Sequence, residues 1–237
     1  MIKRFIIVLA LAAIAVGFYP LAWGVEDAEA LTQVANEYVE NGADDLGAAN
    51  LVTSVVVSYR GLDTLGEITV LFAATAGVTM LFAARKPKKR GQKSVSGDDS
   101  RRTGSELLQT GAALLFPILW MFGIYIFVHG HLTPGGGFQG GVVIASAVLL
   151  LLFADSDRKM GHTILQIAEA LSGAAYVAVG LLGLWFAAGF LDPRFLPAGE
   201  FGQLFSAGAI PVIYSLIGIK VGAELTGIVD TMRRSAS

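Results

Sequence analysis

The chain has 237 residues, of which 54% are hydrophobic and 15% charged, a net charge of −2 and no cysteine; its mean hydropathy is +0.63. This balance argues against a soluble globule, and no nucleic-acid partner is expected. The missing cysteines exclude a disulfide framework, Cys-based zinc or iron–sulfur sites and a thiol nucleophile.

In chain order, Lys3 and Arg4 precede an apolar run at 5–24, which reads as a retained anchor instead of a signal peptide because of its length and its Pro20-Leu21-Ala22-Trp23 end. The next segment carries Glu26, Asp27, Glu29, Glu37, Glu40, Asp44 and Asp45 without a Lys or Arg. A long apolar stretch from Ala48 to Ala84 is broken at Arg60-Gly61-Leu62-Asp63. Residues 48–59 are expected at the outer surface, with Asp63 capping a membrane-crossing helix over 63–84. Residues 85–106 are rich in Lys, Arg, Gly and Ser and read as an exposed linker.

Further apolar runs follow at 107–129, 136–154, 163–190 and 203–228, each near or above the roughly 20 residues that cross a bilayer. The prediction is an all-α, polytopic integral membrane protein with about six transmembrane helices. Its parts are a two-span module at 1–84, the basic linker at 85–106 and a four-helix membrane module at 107–237. Basic residues concentrate at the N-terminus, at 85–106, at Arg158 and Lys159 and at Arg233 and Arg234, so the positive-inside rule places both termini in the cytoplasm and the acidic segment outside. Pro117 and Pro211 fall inside apolar runs, where each is expected to free a carbonyl and bend its helix.

Arg60, Asp63 and Glu67 are spaced to share a helix face. Glu67 lies roughly 6 Å beyond Asp63 along the helix, a depth where an unpaired carboxylate is costly and suits cation binding or proton carriage. An interfacial cap and salt bridge are the plainer alternative. His129 and His131 end the third span, and an unperturbed histidine is a residue type suited to proton exchange; as a pair one residue apart they lack a third ligand, so no metal site is expected. Lys220 and Glu224 are spaced to pair within the last span, unless Lys220 snorkels to the surface. Glu169 lies about two turns into the fifth, without a partner on its own helix, and His162 at that span's start reads as interfacial.

Between the third and fourth spans, Thr133 and Pro134 form a helix-start signal. Behind them, Gly135, Gly136 and Gly137 lead through Phe138 to Gly140 and Gly141, with interlocked small-residue spacings that suit close helix packing. The glycine run lacks the Gly-Lys-Ser/Thr ending of a phosphate loop. No serine-hydrolase order, zincin motif or dinucleotide fingerprint is present, so no enzymatic activity and no cofactor are expected.

With Phe116-Pro117, His129-Gly-His131-Leu-Thr-Pro-Gly-Gly-Gly-Phe138-Gln-Gly-Gly141 and Lys220-Val-Gly-Ala-Glu224, the second module resembles the MnhB domain, the B-type component of Mrp-type multisubunit cation/proton antiporters. The stretch from Asn50 through Arg60, Asp63 and Gly66-Glu67 resembles the C-terminal portion of the large A-type component of the same antiporters. The resemblance implies an accessory subunit of a sodium/proton antiporter in a prokaryotic cytoplasmic membrane. Its partners would be other membrane subunits and the lipid bilayer, with Na+ and H+ as transported ions. It also implicates the carboxylate matching Glu67 in the ion route and makes the segment matching 129–141 functionally sensitive. Related modules occur in membrane-bound hydrogenases and other complex-I-like respiratory assemblies, which gives one alternative; a purely structural packing role is the other. The expected ion or proton path comprises Glu67, Asp63, His129, His131, Lys220, Glu224 and Glu169, and the packing motif comprises Arg60, Thr133, Pro134, Gly135, Gly136, Gly137, Phe138, Gly140 and Gly141.

Overall fold

A computed structural model describes residues 2–23, 31–83, 104–155, 158 and 160–236. Most of the 85–106 linker lies outside these residues. The chain divides into two compact units, Met1–Glu37 and Tyr38–Ser237. The first holds the apolar helix α1 (Ile2–Trp23) and the start of α2 (Gln33–Leu46).

The second unit continues with a short helix α3 (Leu51–Ser54), a turn of π-helix at Val55–Tyr59, and the long helices α4 (Gly61–Ala83), α5 (Glu106–Val128), α6 (Gly137–Ala154), α7 (His162–Phe186) and α8 (Ile210–Ala236). Among the described residues, five helices are long and apolar enough to cross a membrane, over Gly61–Phe82, Glu106–Val128, Gly137–Ala154, His162–Phe186 and Ile210–Ser235, and α1 is a shorter apolar helix. The chain is a polytopic all-α membrane protein. Helix α8 is its hub, packing against α4, α5, α6 and α7. Ile210, Ile213, Ile217 and Val221 of α8 are buried in one core with Val57, Ile68 and Tyr176.

Several expected boundaries move. The runs at 163–190 and 203–228 are not continuous helix: α7 stops at Phe186 and α8 begins at Ile210, and residues 187–209 form a connection with one 3-10 turn at Pro193–Phe195. Leu191 and Ala207, both fully buried there, hold φ of 62° and 64°. Such left-handed backbone in non-glycine residues persists only where the surroundings over-determine it. Residues 48–59 are partly buried and partly exposed, with Val52 and Tyr59 among the exposed residues. Asn50 caps α3 through Val52 N–H, and Thr53, Ser54 and Val57 are buried.

Helix α4 opens at Gly61, so Asp63 sits in its first turn instead of ahead of it. Helix α6 opens at Gly137 with Gly136 in the cap position, beyond the Thr133-Pro134 signal. Thr133 Oγ1 instead donates back to the His129 carbonyl at 3.3 Å, closing the turn after α5. Pro117 lies inside α5, whereas Pro211 is in the first turn of α8, where its missing N–H removes no helical hydrogen bond.

Helix α6 approaches its neighbours through glycine. A Cβ on Gly140 would stand 2.5 Å from the Gly123 carbonyl of α5, and one on Gly141 would stand 2.8 Å from the Gly218 carbonyl of α8. Neither backbone can yield to that extent, so these two positions set the spacing of α5, α6 and α8.

Candidate functional site: a buried charge cluster on α7 and α8

The last span places Lys220 and Glu224 one turn apart on the face of α8 that meets α7 and α4. Lys220 Nζ donates to Glu224 Oε1 at 2.6 Å, with side-chain exposures of 9% and 0%. The ammonium therefore does not snorkel. It lies 5.4 Å from the centre of the Phe72 ring of α4, and its methylenes pass over Gly173 of α7, where a Cβ would sit 3.6 Å from Cδ. Glu169, one turn from Gly173 on α7 and half-buried, comes within electrostatic and hydrogen-bonding reach of the Glu224 carboxylate. Glu224 Oε2 is buried and has no hydrogen-bond partner among the described residues.

Removing charges from water is expensive, and a pair repays that cost only when its remaining lone pairs are satisfied. Here one carboxylate oxygen is open and a second carboxylate stands nearby. With both acids ionised, one ammonium faces two carboxylates, which leaves one negative charge that a single bound proton or small cation would neutralise.

Towards the start of α4, Tyr176 of α7 is buried and donates to the Gly61 carbonyl at 3.3 Å, with Glu67 as its electrostatic neighbour. Glu67 itself is exposed on α4. Arg60 and Asp63 pair at 2.5 Å and are also exposed, at 63% and 54%. They form a surface ion pair at the mouth of α4, worth little by itself.

The two histidines of the α5–α6 turn separate. His129 is half-exposed, stacked on Tyr125 at 4.2 Å, and its Nδ1 donates to the Tyr125 carbonyl at 3.1 Å. His131 is fully buried; its Nε2 donates to the Gln203 carbonyl at 3.2 Å and its Nδ1 has no partner among the described residues. Burial pulls the His131 imidazole below its usual range, the Gln203 carbonyl opposes this and His129 adds to it. The turn is tied to α3 by Asn50, whose side chain donates to the Gly130 and Thr133 carbonyls at 2.8 Å and 3.0 Å. Tyr214 OH donates to Thr53 Oγ1 at 3.1 Å, which donates to the Gly130 carbonyl at 2.6 Å. The His131 turn is thus held by the 50–54 segment and the α7–α8 connection, whereas Glu67 is exposed on α4 within electrostatic range of Tyr176.

Sequence reasoning missed two groups. In the α7–α8 connection, buried Asp192 accepts from Arg194 and from the Ala188 and Arg194 amides, and the Arg194 guanidinium holds its carboxyl below the usual carboxylate range. At the opposite end of α8, Asp230 is fully buried and meets Arg233, Arg234 and His162. The spacing of Asp230 to Arg233 and Arg234 was a readable signal; the third partner, from α7, was not.

A family model described as a domain related to the MnhB subunit of Na+/H+ antiporters matches residues 107–227. The chain belongs to the MnhB-related family. A second model, MbhE, described as a subunit of MBH, matches residues 3–97 of this MnhB-related chain. The B-type subunit of a Na+/H+ antiporter from Bacillus subtilis is 35% identical over 41% of this chain and 70% of the relative. A probable K+/H+ antiporter protein of combined A/B type from Rhizobium meliloti is 24% identical over 78% of this chain but only 20% of its own length.

Among solved structures, a chain of the membrane-bound sulfane sulfur reductase, an archaeal respiratory membrane complex, is 46% identical with a TM-score of 0.77, and each chain covers 98% of the other. A chain of the Mrp complex from a Dietzia species is 25% identical with a TM-score of 0.75, over 97% of this chain and 26% of that one. The MnhB-related chain is a membrane subunit of the antiporter-module type, and other membrane subunits are its partners.

Proposed function

We propose that this subunit carries part of a proton route in a cation/proton-exchanging membrane complex, and that the Lys220–Glu224–Glu169 cluster is its central relay. The observation that carries the reading is the buried 2.6 Å Lys220–Glu224 pair, which Glu169 approaches and whose Glu224 Oε2 has no hydrogen-bond partner among the described residues. Ionisable groups are retained inside membrane-spanning helices chiefly where they pair, face water or serve function. Either H+ or Na+ satisfies the cluster's surplus negative charge, so occupancy by one excludes the other; that exclusion couples the two ions. Tyr176 and Glu67 continue the polar line towards the start of α4, and Asp63 with Arg60 stands at its mouth. His129, at a half-exposed turn, suits exchange with water; His131, buried beneath it, suits a structural part. Both termini lie in the cytoplasm, so the His129 turn faces outward, in keeping with the charge distribution. The work is transport, with chemistry left to other subunits.

The parent complex is read as a respiratory assembly with an antiporter module. The match to a chain of an archaeal respiratory complex is nearly full-length in both directions, whereas the matching Mrp chain is covered over only 26% of its length. This contrast favours the respiratory assembly over a stand-alone Mrp antiporter.

Glu169→Gln tests the relay, because it keeps the Lys220–Glu224 pair and therefore the fold. Cation-dependent proton flux in vesicles holding the assembled complex should fall by roughly tenfold or more. Wild-type flux in that variant, with normal assembly, would sink the reading and leave a packing role.

A further inference from the structure

Asp230 sits in the last part of α8 with its carboxylate wholly buried. Arg233 reaches Oδ1 at 2.7 Å and Arg234 reaches Oδ2 at 2.9 Å, both from α8; His162 Nε2, from the first turn of α7, lies 2.8 Å from Oδ2. The His162 side chain is 38% exposed. At this end of the bundle α6 contributes Asp155 at its close, followed by Arg158, and the first turn of α7 holds no acid of its own.

Two features separate this cluster from an ordinary helix-end ion pair. First, two guanidiniums already compensate Asp230, so the imidazole can take up or release a proton without leaving the buried carboxylate unpaired. Second, the cluster stands over the relay. His162 precedes Glu169 by seven residues, about 10 Å along α7 and on the same face, and Asp230 follows Glu224 by about 9 Å along α8. Midway between Glu224 and Asp230, three residues from each and intermediate in direction, is Gly227, where an added Cβ would meet nothing within 4 Å. Gly227 is half-buried, so this open space also reaches the surroundings of the chain and has room for water.

We propose that His162, oriented by Asp230, is the residue through which protons pass between the aqueous phase at this end of the bundle and the Glu169–Glu224 pair. The imidazolium gives its proton to water beside Gly227, the proton moves on to a carboxylate of the relay, and the neutral imidazole is reprotonated from bulk water; the reverse order serves the opposite direction. Asp230 is a positioning residue in this scheme. The inference rests on the relay reading above.

The experiment measures cation-dependent proton flux in vesicles holding the complete complex. His162→Ala should slow it roughly tenfold or more, and millimolar imidazole should restore much of the rate, because a free base can occupy the vacated space. His162→Arg keeps the pairing with Asp230 but does not exchange protons near neutral pH, and should be equally slow. Gly227→Leu fills the water space without touching an ion pair and should slow flux as well. Wild-type flux in His162→Arg or Gly227→Leu overturns the inference, as does a slow His162→Ala complex of normal composition that imidazole leaves slow. If Glu169→Gln retains full flux, the relay reading has failed; if Glu169→Gln is slow while His162→Arg is wild type, only the present inference has.

Discussion

At the scale of single residues, burial separates two neighbouring histidines. His129 keeps access to water and a stacked tyrosine, whereas His131 is sealed under the α7–α8 connection with one ring nitrogen bonded to a carbonyl and the other without a partner among the described residues. A buried imidazole whose value is lowered from 6.5 is neutral in the folded protein, while the unfolded chain takes up a proton as pH falls through 6.5. Below that point the unfolded state binds more protons, so stability falls as pH falls, until the folded imidazole itself is protonated. Thermal unfolding of the purified complex should therefore lose stability as pH falls through 6.5, and His131→Gln should reduce that slope by removing its source. An unchanged slope in the variant would place the pH sensitivity elsewhere.

At the scale of elements, the glycines of α6 do what side chains do elsewhere. Gly140 sits against a carbonyl of α5 and Gly141 against a carbonyl and Val221 of α8, with ideal Cβ positions 2.5 and 2.8 Å from backbone oxygen. Overpacking a well-filled interior costs about 1–3 kcal/mol, and more where the obstructing atom is backbone. Gly141→Leu should thus prevent this subunit from appearing in the purified complex, whereas Gly111→Leu, at a position of α5 with open space around its Cβ, should not. Equal recovery of both variants would argue against the close packing.

The long apolar helices were legible because their length and composition are local properties; α5 and α6 lie within a few residues of the runs at 107–129 and 136–154. The α7–α8 connection was not, because Phe190, Leu191, Phe195, Leu196, Leu204 and Phe205 continue the apolar runs on either side, and hydropathy cannot mark a helix end that remains hydrophobic. Nor could Asn50 and Thr53 announce that their partners are carbonyls in the turn after α5. At the candidate site the Lys220–Glu224 spacing was readable, since both residues share one helix. The approach of Glu169 and the meeting of His162 with Asp230 depend on how α7 lies against α8.

At the scale of the whole molecule, the second unit is well packed around α8 and open along α4. Val70, Phe72, Met80 and Leu81 of α4 are exposed, and so is Glu67, about six residues into a membrane-crossing helix. Leucine and phenylalanine face acyl chains without penalty, but an ionised carboxylate costs several kcal/mol there unless water, a cation or another subunit meets it. On the proposed reading, the outward face of α4 is expected to meet another subunit, which would also cover Glu67. Val70 is three residues from Glu67 and on the same side, and a photo-crosslinking residue placed there should join this chain to another membrane subunit in the assembled complex. Crosslinking to lipid alone would mean that Glu67 is solvated through a bilayer defect or carried neutral. In either case the polar line from Tyr176 to Lys220 would end within this subunit instead of continuing into its neighbour.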